Sequence, residues 1–136
     1  MYNADAGVAP CADTMRTTLT KRFSFDSAHW LPTFPAGHKC RRLHGHTFHV
    51  DLVLEGEVDP QAGYLIDFGQ IKGAADPLIQ SLDHRLLNDL DGLSNPTAEN
   101  LARYIYDRLK PDLPLLSIVR IRETCTTEAE YRGETG

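Results

Sequence analysis

The sequence predicts an α+β domain in which an antiparallel four-stranded sheet carries two helices on one face, in the order β-β-α-α-β-β. Three observations predict it. Two early segments alternate apolar and polar residues with a period of two. Two central segments carry apolar residues at helical spacing behind a capping residue. Two late segments return to alternation. The 136 residues, 41% hydrophobic, are the size of one domain with one packed core.

Residues 1–15 read as a small, polar tail, and residues 16–136 as the single domain. The first strand spans Thr17 to His29. Leu19, Phe23, Phe25 and His29 share one face, with Lys21 as the exception, and Thr20, Arg22, Ser24 and Asp26 share the other. Pro32, Pro35 and Gly37 mark a loop. The second strand, Gly45 to Glu55, puts His46, Phe48, Val50, Leu52 and Leu54 on one face and Thr47, His49, Asp51, Val53 and Glu55 on the other. Residues 57–63 form a turn, and Tyr64 to Ile66 pair briefly as an edge.

Asp67, with Gln70 three residues later, caps the first helix. Phe68, Ile71, Ala75, Leu78 and Leu82 are its apolar stripe. Pro77 predicts a kink or break near Ala75. A loop over Leu90 to Ser94 leads to the second helix, capped by Asn95 with Pro96 in its first position. Leu101, Ile105 and Leu109 are its buried stripe, and Pro111 ends it. Ser117 to Cys125 is the third strand, with Val119, Ile121, Glu123 and Cys125 on one face. Glu128 to Arg132 form a short fourth strand.

Composition excludes several classes of function. A net charge of -5 without a basic stripe argues against a nucleic-acid partner. No apolar run is long enough to span a bilayer. Met1 to Asp13 lack the basic and apolar regions of a secretory signal, so a cytoplasmic protein is expected. Three cysteines, Cys11, Cys40 and Cys125, give no disulfide framework and are expected as thiols.

The chemistry is concentrated in His44-Gly45-His46, with Cys40 four residues before it and His29 on the neighbouring strand. Residues i and i+2 of an extended chain point the same way about 6–7 Å apart. Two imidazoles so placed reach one ion at about 2.0–2.1 Å, and Gly45 lets the backbone bend between them. Three histidine ligands leave one zinc position open for water or a reactant. His49 faces away from His46 and His38 lies in a loop, so neither is expected as a ligand. For Cys40 three roles stand open: an inert thiol, a fourth ligand that closes a structural site, or a reactive thiolate favoured by Lys39, Arg41 and Arg42. In Asp83-His84 the imidazole suits a proton carrier near neutral pH. Consecutive side chains diverge, so Asp83 orients His84 only with help from the backbone. Glu123 puts a carboxylate on an apolar face. It either pairs with an arginine or grips a planar N–H and amino edge such as that of a pterin or guanine.

Several motifs together resemble one family. Phe25-Asp26-Ser27-Ala28-His29, Cys40 with His44-Gly45-His46, Leu82-Asp83-His84, Asn95-Pro96-Thr97-Ala98-Glu99 and Glu123-Thr124 are similar to the 6-pyruvoyl-tetrahydropterin synthase and 6-carboxy-tetrahydropterin synthase family, over about Thr17 to Glu134. The short spacing from Gly37 to His44, and Glu123-Thr124-Cys125-Thr126 with Tyr131-Arg132-Gly133-Glu134, resemble the bacterial 6-carboxy branch, which supplies the precursor of queuosine and related 7-deazapurines. The tail, including Cys11, has no counterpart in that pattern.

The resemblance implies the tunnelling fold (T-fold), with barrel-like trimers stacked into a homohexamer and active sites between subunits. It implies zinc (Zn2+) on His29, His44 and His46. Cys40 is then the general base, Asp83 and His84 the proton relay, and Glu123 the pterin anchor. The implied substrate is 7,8-dihydroneopterin triphosphate, converted to 6-carboxy-5,6,7,8-tetrahydropterin with release of acetaldehyde and triphosphate. Lys21, Arg22, Lys39, Arg41 and Arg42 are candidates to meet the triphosphate. Three alternatives are a 6-pyruvoyl-tetrahydropterin synthase, a dihydroneopterin aldolase-like role on the same fold, and a non-catalytic structural zinc-binding assembly module.

Overall fold

The alternating segments fold into two long strands, β1 (Met15–His29) and β2 (His44–Val58), which pair antiparallel in continuous register from Met15↔Val58 to His29↔His44. These and the following observations come from a computed structural model in which residues 14–134 are described. The expected tail therefore lies outside the described residues through residue 13, and Met15 already belongs to β1. The period-two pattern places Phe48, Val50, Leu52 and Leu54 on the inward face of β2, all fully buried.

Helices α1 (Phe68–Leu82) and α2 (Ala98–Leu109) follow. The sheet is completed by β3 (Leu116–Arg122) and the short β4 (Ala129–Tyr131), in the order β1-β2-β3-β4 with every pairing antiparallel. The β-β-α-α-β-β order is the one the sequence predicts. The core lies between one sheet face and the helices. Phe25, Phe48, Leu52 and Ile121 of the sheet meet Ile71, Ala75 and Leu82 of α1 and Leu101, Ile105 and Leu109 of α2. No helix among the described residues is long and apolar enough to cross a membrane.

Several boundaries differ from the sequence expectation. Helix α1 runs unbroken through Pro77. Pro77 and Gly73, whose carbonyl loses its donor, both lie on the exposed face, so water can serve that oxygen. Phe68 is exposed and Ile79 takes its expected place in the buried stripe. Thr97, not Asn95, caps α2: its side chain accepts from the Asn100 N–H, and Pro96 precedes the helix. Residues 64–66 form bends rather than an edge strand. Leu65 instead packs over Gly56, where an added Cβ would stand 2.9 Å from Leu65 Cδ1.

Strand β3 ends at Arg122, before Glu123 and Cys125. Its ladder with β2 stops at His49↔Arg122. Beyond it Thr124 Oγ1 accepts from the Thr126 N–H at 3.3 Å and bonds Thr127 Oγ1 at 2.8 Å, so the hydroxyls draw the backbone into a turn. Cys125 is left exposed on that turn.

Candidate metal centre and the cavity around it

His29 and His44 are direct cross-strand partners at the joined end of β1 and β2, and His46 lies two residues along on the same face. The three rings meet edge to face, with centroids 4.6 Å apart for His29–His44, 5.2 Å for His29–His46 and 5.0 Å for His44–His46. One nitrogen from each lies within 4.8 Å of the others.

Hydrogen bonding assigns which nitrogens are free. His29 Nδ1 donates to the Pro96 carbonyl at 2.8 Å, and His44 Nδ1 donates to the Arg42 carbonyl at 2.6 Å. Each bond fixes a tautomer whose Nε2 carries a lone pair. His29 Nε2 is buried with no hydrogen-bond partner. Burial, reinforced by the neighbouring imidazoles and opposed by the Pro96 bond, pushes His29 down to about 4, and burial likewise lowers His46. A convergent set of three imidazole nitrogens, one of them buried without a partner, fits a divalent zinc. Tetrahedral ligands at about 2.0–2.1 Å stand about 3.3–3.4 Å apart, a separation reached from here by small side-chain rotations.

Cys40 sits in a 3-10 turn, Lys39–Arg41, held at its start by His38, whose Nδ1 accepts from the Cys40 N–H at 3.0 Å. His38 is thereby a turn cap, stacked on Phe34. The Leu31 N–H donates to the Cys40 carbonyl at 2.9 Å and ties the turn to the end of β1. Cys40 shares a cavity of about 540 Å³ with Lys39, His44, His46, Glu123 and Thr124. That volume is within the range of small-molecule sites.

Of the five cations expected to meet phosphate, the cavity includes Lys39. Arg22 instead reaches the buried Asp51 on the opposite sheet face, and Arg41 donates to the Phe34 carbonyl. His49 lies with Thr47 and Arg122 along a separate cleft of about 400 Å³ that also touches His46, Glu123 and Cys125.

Asp83 and His84 close α1 and run alongside β1. The His84 N–H donates to the Asp26 carbonyl, the Ala28 N–H to the Arg85 carbonyl, and the Asp26 N–H to Asp83 Oδ1. Asp83 Oδ2 lies 2.8 Å from His84 Nδ1. The bond from the Asp26 amide, then that from His84, hold the Asp83 carboxyl below its usual range, and Asp83 in turn raises His84. Within one chain this pair does not share the Cys40 cavity. His84 lines a separate hollow of about 480 Å³ with Asp26, Ser27 and His46, and Gly45 and His46 stand on the walls of both.

Glu123 points its carboxylate at the imidazoles, 3.9 Å from His29 Nε2 and 4.0 Å from His46 Nε2. The arginine alternative is not met: among the described residues the basic groups within 4.0 Å of this carboxylate are those two histidines, whose lowered pKa values favour the neutral form. Burial raises its pKa, His44 opposes this, and the charge of Glu99 adds to it. Glu99, in the first turn of α2, shares a further hollow with Glu123. In the sequence Glu99 belongs to the Asn95–Glu99 motif but carries no role of its own, because a glutamate at the start of a helix is accounted for by the helix dipole alone.

The geometry has counterparts among known proteins. The family model described as 6-pyruvoyl tetrahydropterin synthase matches residues 18–134. The chain is 40% identical over 119 residues to 6-carboxy-5,6,7,8-tetrahydropterin synthase of Synechocystis sp., covering 83% of this chain and 91% of that protein. It is 39% identical over 100 residues to dihydroneopterin monophosphate aldolase of Pyrococcus furiosus, covering 74% of this chain and 81% of that protein. It superposes on the structure of Caenorhabditis elegans 6-pyruvoyl tetrahydropterin synthase with a TM-score of 0.81 at 29% identity, covering 88% of this chain and 97% of that one.

Proposed function

This chain belongs to the 6-pyruvoyl tetrahydropterin synthase family, and from that premise we propose that it is a zinc-dependent lyase of the 6-carboxy branch. It converts 7,8-dihydroneopterin triphosphate to 6-carboxy-5,6,7,8-tetrahydropterin, acetaldehyde and triphosphate, with one water consumed, on the route to 7-deazapurines such as queuosine. The observation that carries this reading is the convergence of His29, His44 and His46, with His44 and His46 on the wall of the cavity that also contains Cys40 and Glu123 and His29 buried behind them. The relative from Synechocystis supports the branch.

Zinc held by His29, His44 and His46 supplies Lewis acidity toward the hydroxyl oxygens of the substrate side chain. Glu123 accepts from the N–H and amino edge of the pterin and orients it. Lys39 meets the phosphates at the cavity rim. Cys40 removes a proton from the side chain as general base, and His84, held by Asp83, carries a second proton. The Asp83–His84 pair acts on the Cys40 cavity of a neighbouring subunit, which makes the working enzyme a homo-oligomer, proposed as a hexamer in the cytoplasm.

The test is product analysis with dihydroneopterin triphosphate. Equal amounts of acetaldehyde and triphosphate are expected. Triphosphate without acetaldehyde identifies a pyruvoyl synthase instead. No turnover by the zinc-loaded protein leaves the structural module. The Pyrococcus relative favours a second reading, aldolase chemistry on a dihydroneopterin monophosphate. Retro-aldol cleavage keeps the phosphate ester on the released fragment, so a phosphorylated aldehyde replaces acetaldehyde in that case.

A further inference from the structure

The carboxylate of Glu123 faces a nitrogen that cannot donate to it. His29 Nδ1 spends its proton on the Pro96 carbonyl, so Nε2 presents a lone pair, and it is buried without a hydrogen-bond partner. Glu123 Oε2 stands 3.9 Å from that lone pair while Oε1 stands 4.0 Å from His46 Nε2. Two acceptors opposed in a partly buried pocket repel unless a cation lies between them. Among the described residues no lysine or arginine pairs with Glu123. Ligand atoms on one tetrahedral zinc are about 3.3–3.4 Å apart, so each Glu123 oxygen stands only about half an ångström outside the ligand spacing from the histidine nitrogen it faces.

We propose that Glu123 is an exchangeable ligand: it closes the metal when no substrate is bound, and is drawn off it when a pterin edge takes the carboxylate. The proposal rests on the metal centre argued above. It deepens the role of Glu123 from anchor to switch. One carboxylate cannot serve the pterin edge and the metal at full strength together, so recognition of the ring and opening of the coordination position become one event. A small molecule with hydroxyls but no donor edge meets a closed metal. Water and adventitious chelators are held off in the same way.

The experiment measures metal binding rather than turnover. Zinc affinity of the full chain without substrate is determined by chelator competition for wild type, Glu123→Gln, Glu123→Ala and His44→Ala. Both Glu123 variants are expected to bind zinc about tenfold or more weakly. In the cobalt-substituted protein, 6-methylpterin, which has the donor edge but no side-chain hydroxyl, is expected to change the visible bands of wild type and leave those of Glu123→Gln unmoved. Zinc affinity within twofold of wild type in both Glu123 variants, with cobalt bands insensitive to 6-methylpterin, overturns the switch. If His44→Ala also keeps wild-type affinity, the metal centre itself is wrong. If His44→Ala loses the metal and the Glu123 variants do not, only the switch fails.

Discussion

His84 Nδ1 stands 2.8 Å from Oδ2 of Asp83, its own predecessor in the chain. Adjacent side chains ordinarily diverge. They converge here because His84 adopts the left-handed region at φ 56, the one positive φ among the described non-glycine residues. Such a conformation costs a side-chain-bearing residue about 1–2 kcal/mol. It persists because the His84 amide is bonded to the Asp26 carbonyl and Asp83 Oδ1 accepts from the Asp26 amide, so β1 fixes both residues.

Asp83→Asn removes the charge that raises His84. The imidazole then loses its proton at lower pH than in wild type, so an activity that needs His84 charged falls off at lower pH. An NMR titration of the His84 ring should show its pKa moved toward the ordinary value, and the alkaline limb of kcat should move the same way. An unmoved limb removes His84 from the reaction. His84→Ala is expected to cost about 10²–10⁴-fold in kcat, the usual contribution of a positioned acid or base.

Cys40→Ala separates the thiol's possible roles. As a base in the cavity, Cys40 can be lost without loss of metal, so the variant should hold zinc at the wild-type ratio while turnover drops about 10²-fold or more. The check is metal content beside rate. Metal-free protein from this variant makes Cys40 a structural ligand.

The layout of the chain was legible because its patterns are long. Two long strands alternate with few exceptions, Lys21 among them, and the same parity puts His29 and His46 on the face of Phe25 and Phe48. Short-range signals decided less. Asn95 and Thr97 are both good caps two residues apart, and tertiary position chose Thr97. Alternation extended β3 to Cys125, but the threonine hydroxyls after Glu123 turned the chain first. The Asp83–His84 geometry and the approach of Glu99 to Glu123 depend on a dihedral and on a tertiary contact, neither of which has a periodic trace.

Pro77 illustrates how exposure overrides a breaker, and it leads to a stability prediction. Helix α1 tolerates the missing N–H because Gly73 and Pro77 face solvent. Gly73 itself is a cost without a packing reason, since an added Cβ there meets nothing within 4 Å. Gly73→Ala should stabilise the protein by about 0.5–1 kcal/mol, seen as a higher urea midpoint with an unchanged slope. A lower midpoint would mean that a partner occupies that face.

The opposite sheet face contains a buried charge whose two arginines are not equivalent. Asp51 is 2% exposed. Arg122 Nη1 lies 2.7 Å from its Oδ2, with the arginine side chain 27% exposed, whereas Arg22 Nε lies 3.5 Å from Oδ1 with 74% exposed. Arg22→Met therefore removes a solvent-screened pair and should cost about 0–1 kcal/mol. Arg122→Met strands a buried carboxylate with a distant, screened partner and should cost about 3 kcal/mol. Arg122 also ends β3 and immediately precedes Glu123, so its loss should loosen the carboxylate proposed to orient the substrate and raise KM more than it lowers kcat. Urea denaturation of both variants, with steady-state kinetics on Arg122→Met, checks the two parts. Equal stability losses for the two arginines would show that the tighter bond does not carry the pair, and an unchanged KM would show that Glu123 is held without it.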